Sequence, residues 1–355
     1  MPDELRLALA FSLALGTALM AVPAAIRLAW RTGFLDRPVG FKKHGRPTPY
    51  LGGAAVMAGF LPAAVLLGGG ASKYAVIVLC ALGLFAVGTL DDRIGLGPLE
   101  RVLVEAAAAT ALWSAGLAWY VSEIEAVNLL LAIVWVVGLV NAFNLMDNLD
   151  GAASSVTSVA AAGAAALAAV QGDVLLAALS LSLAGAYVGF LPYNLARPAR
   201  IFLGDGGSMP AGFVVAAVVM GISPEAGLGQ AVVLAALPLV GLPVLDTTLV
   251  IVSRTRRGVH VLSGARDHLT HRLLRLLHTP RAVALTLALT QSALCLVGLA
   301  LFEAPTAAVI AIGSGVLAAG AAAVLALDWS YEVDAAPYEG DAAALADPAP
   351  QELGP

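Results

Sequence analysis

The chain has 355 residues, of which 60% are hydrophobic and 12% charged, and its mean hydropathy is +0.89. Soluble globular domains hold roughly 45–50% apolar residues, so this composition excludes a soluble enzyme or a nucleic-acid binder and identifies an integral membrane protein. A net charge of -5 says less than where the charges fall, and Cys80 and Cys295, each inside an apolar run, offer neither a disulfide framework nor a metal spacing.

Apolar runs of spanning length, about 17 to 25 residues, fall at 7–26, 51–72, 74–90, 102–122, 126–143, 152–170, 174–191, 208–223, 226–252, 282–302 and 304–327. The predicted fold is therefore all-α and polytopic, with eleven transmembrane helices. Ten is the alternative, because the runs at 74 and 208 are short and the alanine-rich run at 152 is weakly hydrophobic. The first run lacks a basic leader and reads as a retained helix. Residues 1–327 form the membrane domain, and 328–355, acidic and proline-bearing, read as a disordered cytoplasmic tail.

With the N-terminus outside, every Lys and Arg except Arg6 and Lys73, 17 of the 19, falls on the inner side, as the positive-inside rule asks. Glu123, Glu125, Asp173, Glu225 and Glu303 then fall outside. The same topology brings all the unusual polar clusters to the cytoplasmic face.

Taken in chain order, the first inner loop runs from Gly33 through Asp36, Pro38, Lys42, Lys43, His44 and Arg46 to Gly52-Gly53, and its bases could guide an anionic headgroup or nucleotide. Asp91-Asp92 closes the third run; two adjacent carboxylates repel unless a cation lies near, which suits a Mg²⁺-linked or phosphate-handling site. Asn141, Asn144 and Asn148 recur at helical spacings of three and four, with Asp147 near the same stripe and Asp150-Gly151 beyond. One helix cap explains one of these residues, not five.

Gly204-Asp205-Gly206-Gly207-Ser208 sets a carboxylate in a glycine-rich turn that opens a helix, a context that favours phosphate and a bridging metal. The last large inner loop carries Arg254, Arg256, Arg257, His260, Arg266, Asp267, His268, His271, Arg272 and Arg275. Arginine forks bind phosphate oxygens in pairs, and histidines can donate to a departing phosphate. Topology anchoring accounts for any single arginine, but not for two histidines three residues apart. Glu105 and Asp246 are the acids that stand a turn or so inside a run.

In order and type, these motifs resemble the polyprenyl-phosphate N-acetylhexosamine-1-phosphate transferases, from Asp36-x-Pro38 through Asp91-Asp92-x-x-Gly95-Leu96, Asn141-x-x-Asn144-x-x-Asp147-x-x-Asp150-Gly151 and Gly204-Asp205-x-Gly207-Ser208 to His268-Leu-x-His271-Arg272. The resemblance implies attack of a polyprenyl phosphate on the β-phosphorus of a UDP-sugar, giving polyprenyl diphosphate-sugar and UMP. One phosphoanhydride replaces another, so catalysis rests on alignment and charge neutralisation.

Carried over by motif, Asp205 and Asn144 are the implied Mg²⁺ ligands, with Mn²⁺ as a substitute. Asp91 and Asp92 deprotonate or position the lipid phosphate, and Asp147 and Asp150 contact the nucleotide or support the metal. Arg254, His268, His271 and Arg272 bind the diphosphate, Asn194 and Phe202 hold uracil, and Lys43 and His44 belong to the guiding loop. The implied partners are the UDP-sugar, the polyprenyl phosphate and the membrane; a homodimer is compatible, and no nucleic acid is expected.

The chain departs from the family pattern at Asn148 (usually glycine), Ala152 (leucine), Glu105 (glutamine) and Thr270, which replaces the middle histidine of a triplet. The last loop lacks muramyl-pentapeptide signatures, which favours an N-acetylglucosamine donor over the pentapeptide-bearing alternative. A transporter would set its ionisable groups near the midplane of repeated halves. A CDP-alcohol phosphatidyltransferase would need two further spaced aspartates after Asp150-Gly151, where Ala-Ala-Ser-Ser follows instead.

Overall fold

The computed structural model describes residues 1–37, 47–69, 72–222, 229–261 and 266–329. In chain order it contains α1 (Asp3–Thr32), β1 (Leu35–Asp36), β2 (Thr48–Pro49), α2 (Gly52–Leu67), α3 (Ala75–Ile94), α4 (Pro98–Ser114), α5 (Glu125–Met146), α6 (Ala152–Val170), α7 (Val174–Asn194), α8 (Asp205–Gly221), α9 (Val232–Ala236), α10 (Gly241–Arg256), α11 (Leu269–Leu277), α12 (Pro280–Phe302) and α13 (Thr306–Trp329). The architecture is all-α and polytopic. Among the described residues, α1, α3, α5, α6, α7, the stretch Val232–Arg256, α12 and α13 are long and apolar enough to cross a bilayer, while α2 and α8 are shorter apolar helices. Lys43, His44 and the tail from residue 330 lie outside the described residues.

The core is built on α8. Every residue from Gly206 to Met220 is buried, and α2, α3, α5, α6 and α7 all pack around it. A helix with no polar face can be buried on all sides, and the alanines, serines and glycines of α6 and α7 let their backbones come close to each other. Exposed leucines on α1, α12 and α13 face outward, as a lipid-facing surface requires.

The run predicted as a single ninth helix is broken. A 3-10 turn at Gly229–Ala231, the short α9, a second 3-10 turn at Leu237–Val240 and then α10 replace it. Pro238, Gly241 and Pro243 interrupt the ladder, and the freed backbone groups need partners away from water. The fully buried Gln291 of α12 supplies them: its Nε2 donates to the carbonyls of Pro238 (3.1 Å) and Leu239 (2.9 Å), and its Oε1 accepts from the Leu242 N–H (3.2 Å).

Two further elements lie between the apolar runs. β1 and β2 pair antiparallel, Leu35 with Pro49 and Asp36 with Thr48. The amphipathic α11 occupies part of the arginine- and histidine-rich segment read from sequence as a loop.

Candidate active site

The polar clusters meet at one end of the bundle, formed by the C-terminal ends of α3, α5, α7 and α10 and the N-terminal ends of α4, α8 and α11. Asp205 sits at its centre because it opens the buried α8. Its turn is held from two sides. Both oxygens of Asp92 accept backbone N–H groups, from Asp205 (2.8 Å) and Gly206 (3.1 Å), satisfying two of the unpaired donors at a helix start. A Cβ on Gly88 would come within 2.4 Å of the Asp205 carbonyl, and one on Gly53 within 2.3 Å of the Gly206 carbonyl carbon. Only glycine at both positions lets α2 and α3 approach the turn this closely.

The segment leading into the turn is fixed by the first loop. Phe202 donates its N–H to the Pro49 carbonyl, while Gly52 and Gly53 donate theirs to the carbonyls of Phe202 and Leu203. The Phe202 ring meets Tyr50 edge-on at 6.3 Å. Burial, then the nearby carboxylates of Asp92, Asp205 and Asp147, holds the Tyr50 hydroxyl far above its ordinary range.

Around Asp205 the contacts are short and specific. Asn144 donates through Nδ2 to Asp205 (2.8 Å) and to the Ser208 hydroxyl (3.0 Å). Arg101 donates through one nitrogen to Asp91 (3.0 Å) and to Asp205 (3.3 Å), and the Leu96 N–H donates to the other Asp91 oxygen at 2.5 Å. Asp147 is recessed beside them; burial, then the carboxylates of Asp205, Asp92 and Asp150, raises its pKa well above the usual carboxylate value.

Arg101 was not singled out in the sequence. Its signal is its place one turn before Glu105 at the start of α4, with spacing that sets both on one stripe. Glu105 is buried and accepts from Asn141 at 2.6 Å, which accounts for the first asparagine of the cluster.

The histidine half is built on α10. Asp246, fully buried, accepts from the Leu269 N–H (2.6 Å) and faces His268 Nδ1 (2.9 Å). This contact orients the imidazole and leaves Nε2 as its other polar atom. His271 stands edge-on to it at 6.4 Å. Burial, then the positive charges of His268 and Arg266, lowers the His271 pKa to about 4.

Three side chains that the sequence offers as ligand contacts are held by partners within the chain. Arg254, assigned to the diphosphate, is 3% exposed and grips both oxygens of Asp267 (3.0 and 2.9 Å), with a further donor on the Val261 carbonyl. Arg257 shares the same carboxylate at 2.6 Å. Against the desolvation that burial imposes, these two guanidiniums hold Asp267 below the usual carboxylate range. Arg272 is likewise turned inward, to the carbonyls of Asp267 and Leu327 and the Ser253 hydroxyl, so it ties α11 to α10 and α13.

Asn194, assigned to uracil, is buried with both ends of its amide on backbone, accepting from Gly151 (2.7 Å) and donating to Ile201 (3.1 Å). It holds the Asp150-Gly151 turn against the segment that carries Phe202. The acid and histidine halves touch where the Thr270 hydroxyl donates to the Asn148 amide oxygen.

The chain as a whole has named relatives. The family model for glycosyl transferase family 4 matches residues 74–223, the segment that carries Asp91, Asn144, Asp147 and Asp205. A Bacillus subtilis protein named probable undecaprenyl-phosphate N-acetylglucosaminyl 1-phosphate transferase is 30% identical over 288 residues, spanning 77% of this chain and 79% of its own. The chain belongs to glycosyl transferase family 4. Among other members of the family, the decaprenyl-phosphate N-acetylglucosaminephosphotransferase of Mycolicibacterium smegmatis is 33% identical over 340 residues, 84% of this chain and 82% of its own. An undecaprenyl-phosphate alpha-N-acetylglucosaminyl 1-phosphate transferase of Yersinia pestis is 25% identical over 306 residues, 77% and 78% of the two chains.

Proposed function

We propose that the chain transfers N-acetylglucosamine 1-phosphate from UDP-N-acetylglucosamine to polyprenyl phosphate, yielding polyprenyl diphosphate-N-acetylglucosamine and UMP at the cytoplasmic face of a bacterial inner membrane. The observation that carries this reading is the contact set of Asp205: a carboxylate at the N-terminus of a buried helix, bonded to Asn144 and Arg101 and backed by Asp92. A helix N-terminus and a guanidinium favour phosphate oxygens. The family membership and the names of the relatives support the sugar and the lipid.

The reading includes Mg²⁺, with Mn²⁺ as substitute, on Asp205 and Asn144. Their hard oxygens fit such an ion, and the Asn144 amide, its nitrogen spent on Asp205 and Ser208, keeps an oxygen for it. Among the described residues no three His, Cys, Asp or Glu groups form a ready-made metal cage. That suits Mg²⁺, which takes one or two protein oxygens and completes its shell with water and substrate phosphates. Bound there, the ion would neutralise the donor's diphosphate and polarise its β-phosphorus.

The chain's own residues divide the remaining work. Asp91 and Arg101 receive and orient the lipid phosphate, with Asp91 able to take its proton. Asp147 and Asp150 face the nucleotide. His268, oriented by Asp246, donates through Nε2 to the departing UMP phosphate, and the neutral His271 lies beside it. Purified protein incubated with polyprenyl phosphate, Mg²⁺ and a panel of UDP-sugars tests the reading: a lipid diphosphate product from UDP-N-acetylglucosamine supports it, and turnover of another donor alone overturns the sugar assignment.

A further inference from the structure

At the same end of the bundle, but on the α1 side and apart from the site's carboxylates, lies a cavity of about 810 Å³ whose lining includes Arg27, Trp30, Tyr193 and Arg200. A second cavity of about 680 Å³ shares Tyr193 and Arg200 and adds Arg197 and Arg281. The two form one groove between the C-terminal ends of α1 and α7.

Its chemistry is two-sided. Four guanidiniums line it, and among the described residues no carboxylate pairs with Arg27, Arg197 or Arg200, while Arg281 spends its Nε on the Leu195 carbonyl. Leu19, Pro23, Ile26 and Trp30 recur along α1 at spacings of four, three and four, an apolar stripe running from the arginines down the helix. Arginines that only fix topology need no shared cavity and no such stripe. Basic pockets between spanning helices near the membrane surface suit phosphate-bearing headgroups, and an indole beside them suits the interface.

We propose that this groove binds an anionic phospholipid of the adjoining leaflet, its phosphate among Arg27, Arg197, Arg200 and Arg281 and one acyl chain along the α1 stripe. The lipid acts as a brace for the active site. Thr48 and Pro49 form part of the groove wall, and the Pro49 carbonyl accepts the Phe202 N–H in the segment that leads to Asp205. An occupied groove therefore stiffens the segment that aims the central carboxylate; this effect on turnover rests on the transferase reading, whereas binding itself does not.

The test uses the full chain in phosphatidylcholine nanodiscs with added phosphatidylglycerol, reading lipid retention by native mass spectrometry and UMP release in parallel. Wild type should retain phosphatidylglycerol over phosphatidylcholine and release UMP faster with it. The double variant Arg27→Gln/Arg200→Gln should lose about fivefold in preference per arginine removed, as expected for subtracting one basic group from an anionic-lipid surface, while the Arg27→Lys/Arg200→Lys pair keeps most of it.

Unchanged retention in the glutamine pair would overturn the proposal. So would complete displacement of the lipid by inorganic phosphate, which would mark a soluble-anion site. Displacement by polyprenyl phosphate, with a raised KM for it in the glutamine pair, would make the groove part of the substrate path and equally overturn a second lipid site. Retention of phosphatidylglycerol without transfer from any UDP-sugar would leave this proposal standing and count against the transferase reading.

Discussion

The Thr270 hydroxyl donates to the Asn148 amide oxygen, a contact between positions 122 residues apart in the chain. Thr270 is fully buried at the start of α11, and Asn148 lies between Asp147 and Asp150. The bond joins the histidine half of the site to the acid half. Thr270→Val should lower kcat with little change in donor KM, and Thr270→Ser should restore it. A double-mutant cycle with Asn148→Ala should give a coupling of about 0.5–1.5 kcal/mol; additive effects would reduce the contact to coincidence.

Arg254 is expected to fail through stability rather than kinetics. Removing it leaves Asp267 buried with Arg257 as its remaining guanidinium partner, and breaking a buried pair from one side costs about 3–5 kcal/mol. Arg254→Ala should lower the unfolding temperature in detergent markedly. A stable variant with a raised donor KM would return Arg254 to the diphosphate.

Gln291→Leu tests the broken helix. It would strand the Leu239 carbonyl and the Leu242 N–H in an apolar interior and leave the Pro238 carbonyl with the Gly241 N–H alone, at about 1–3 kcal/mol for each group left unsatisfied. A large drop in thermal stability is expected, with Gln291→Glu intermediate. Wild-type stability in the leucine variant would mean that those groups find other partners.

Much of this was legible because hydrophobic length and polar punctuation are local signals. Each of the eleven apolar runs contains helix, and Asp91, Asn144 and Asp205 announce themselves as polar groups at the ends of apolar runs. What was hidden depends on partners distant in sequence. Arg254 and Asp267 read as a loose basic loop until the fold closes them into a pair. That both ends of the Asn194 amide meet backbone has no local signal, and Gln291 is one polar residue in an apolar run until the break it mends is seen. Arg101 escaped notice because a lone arginine at a helix start is what any membrane topology provides.

The low pKa of His271, about 4, gives a pH dependence with a definite sign. Above the ordinary value of 6.5 the imidazole is neutral whether the chain is folded or not, and no penalty arises. As pH falls from 6.5 towards 4 the unfolded chain takes up a proton that the folded one refuses, so stability declines. His271→Gln should flatten that part of the stability profile between pH 6.5 and 4. Identical profiles for variant and wild type would show that the ring protonates freely in the folded protein.

Asp205 at the head of α8 is the centre on which the other residues converge. The direct test follows the β-phosphorus: purified protein receives polyprenyl phosphate, Mg²⁺ and UDP-N-acetylglucosamine labelled at that atom. The label should appear in the lipid product while UMP leaves unlabelled, and Asp205→Asn should abolish transfer without loss of the folded protein. Label remaining with the nucleotide, or full transfer by Asp205→Asn, would contradict the account.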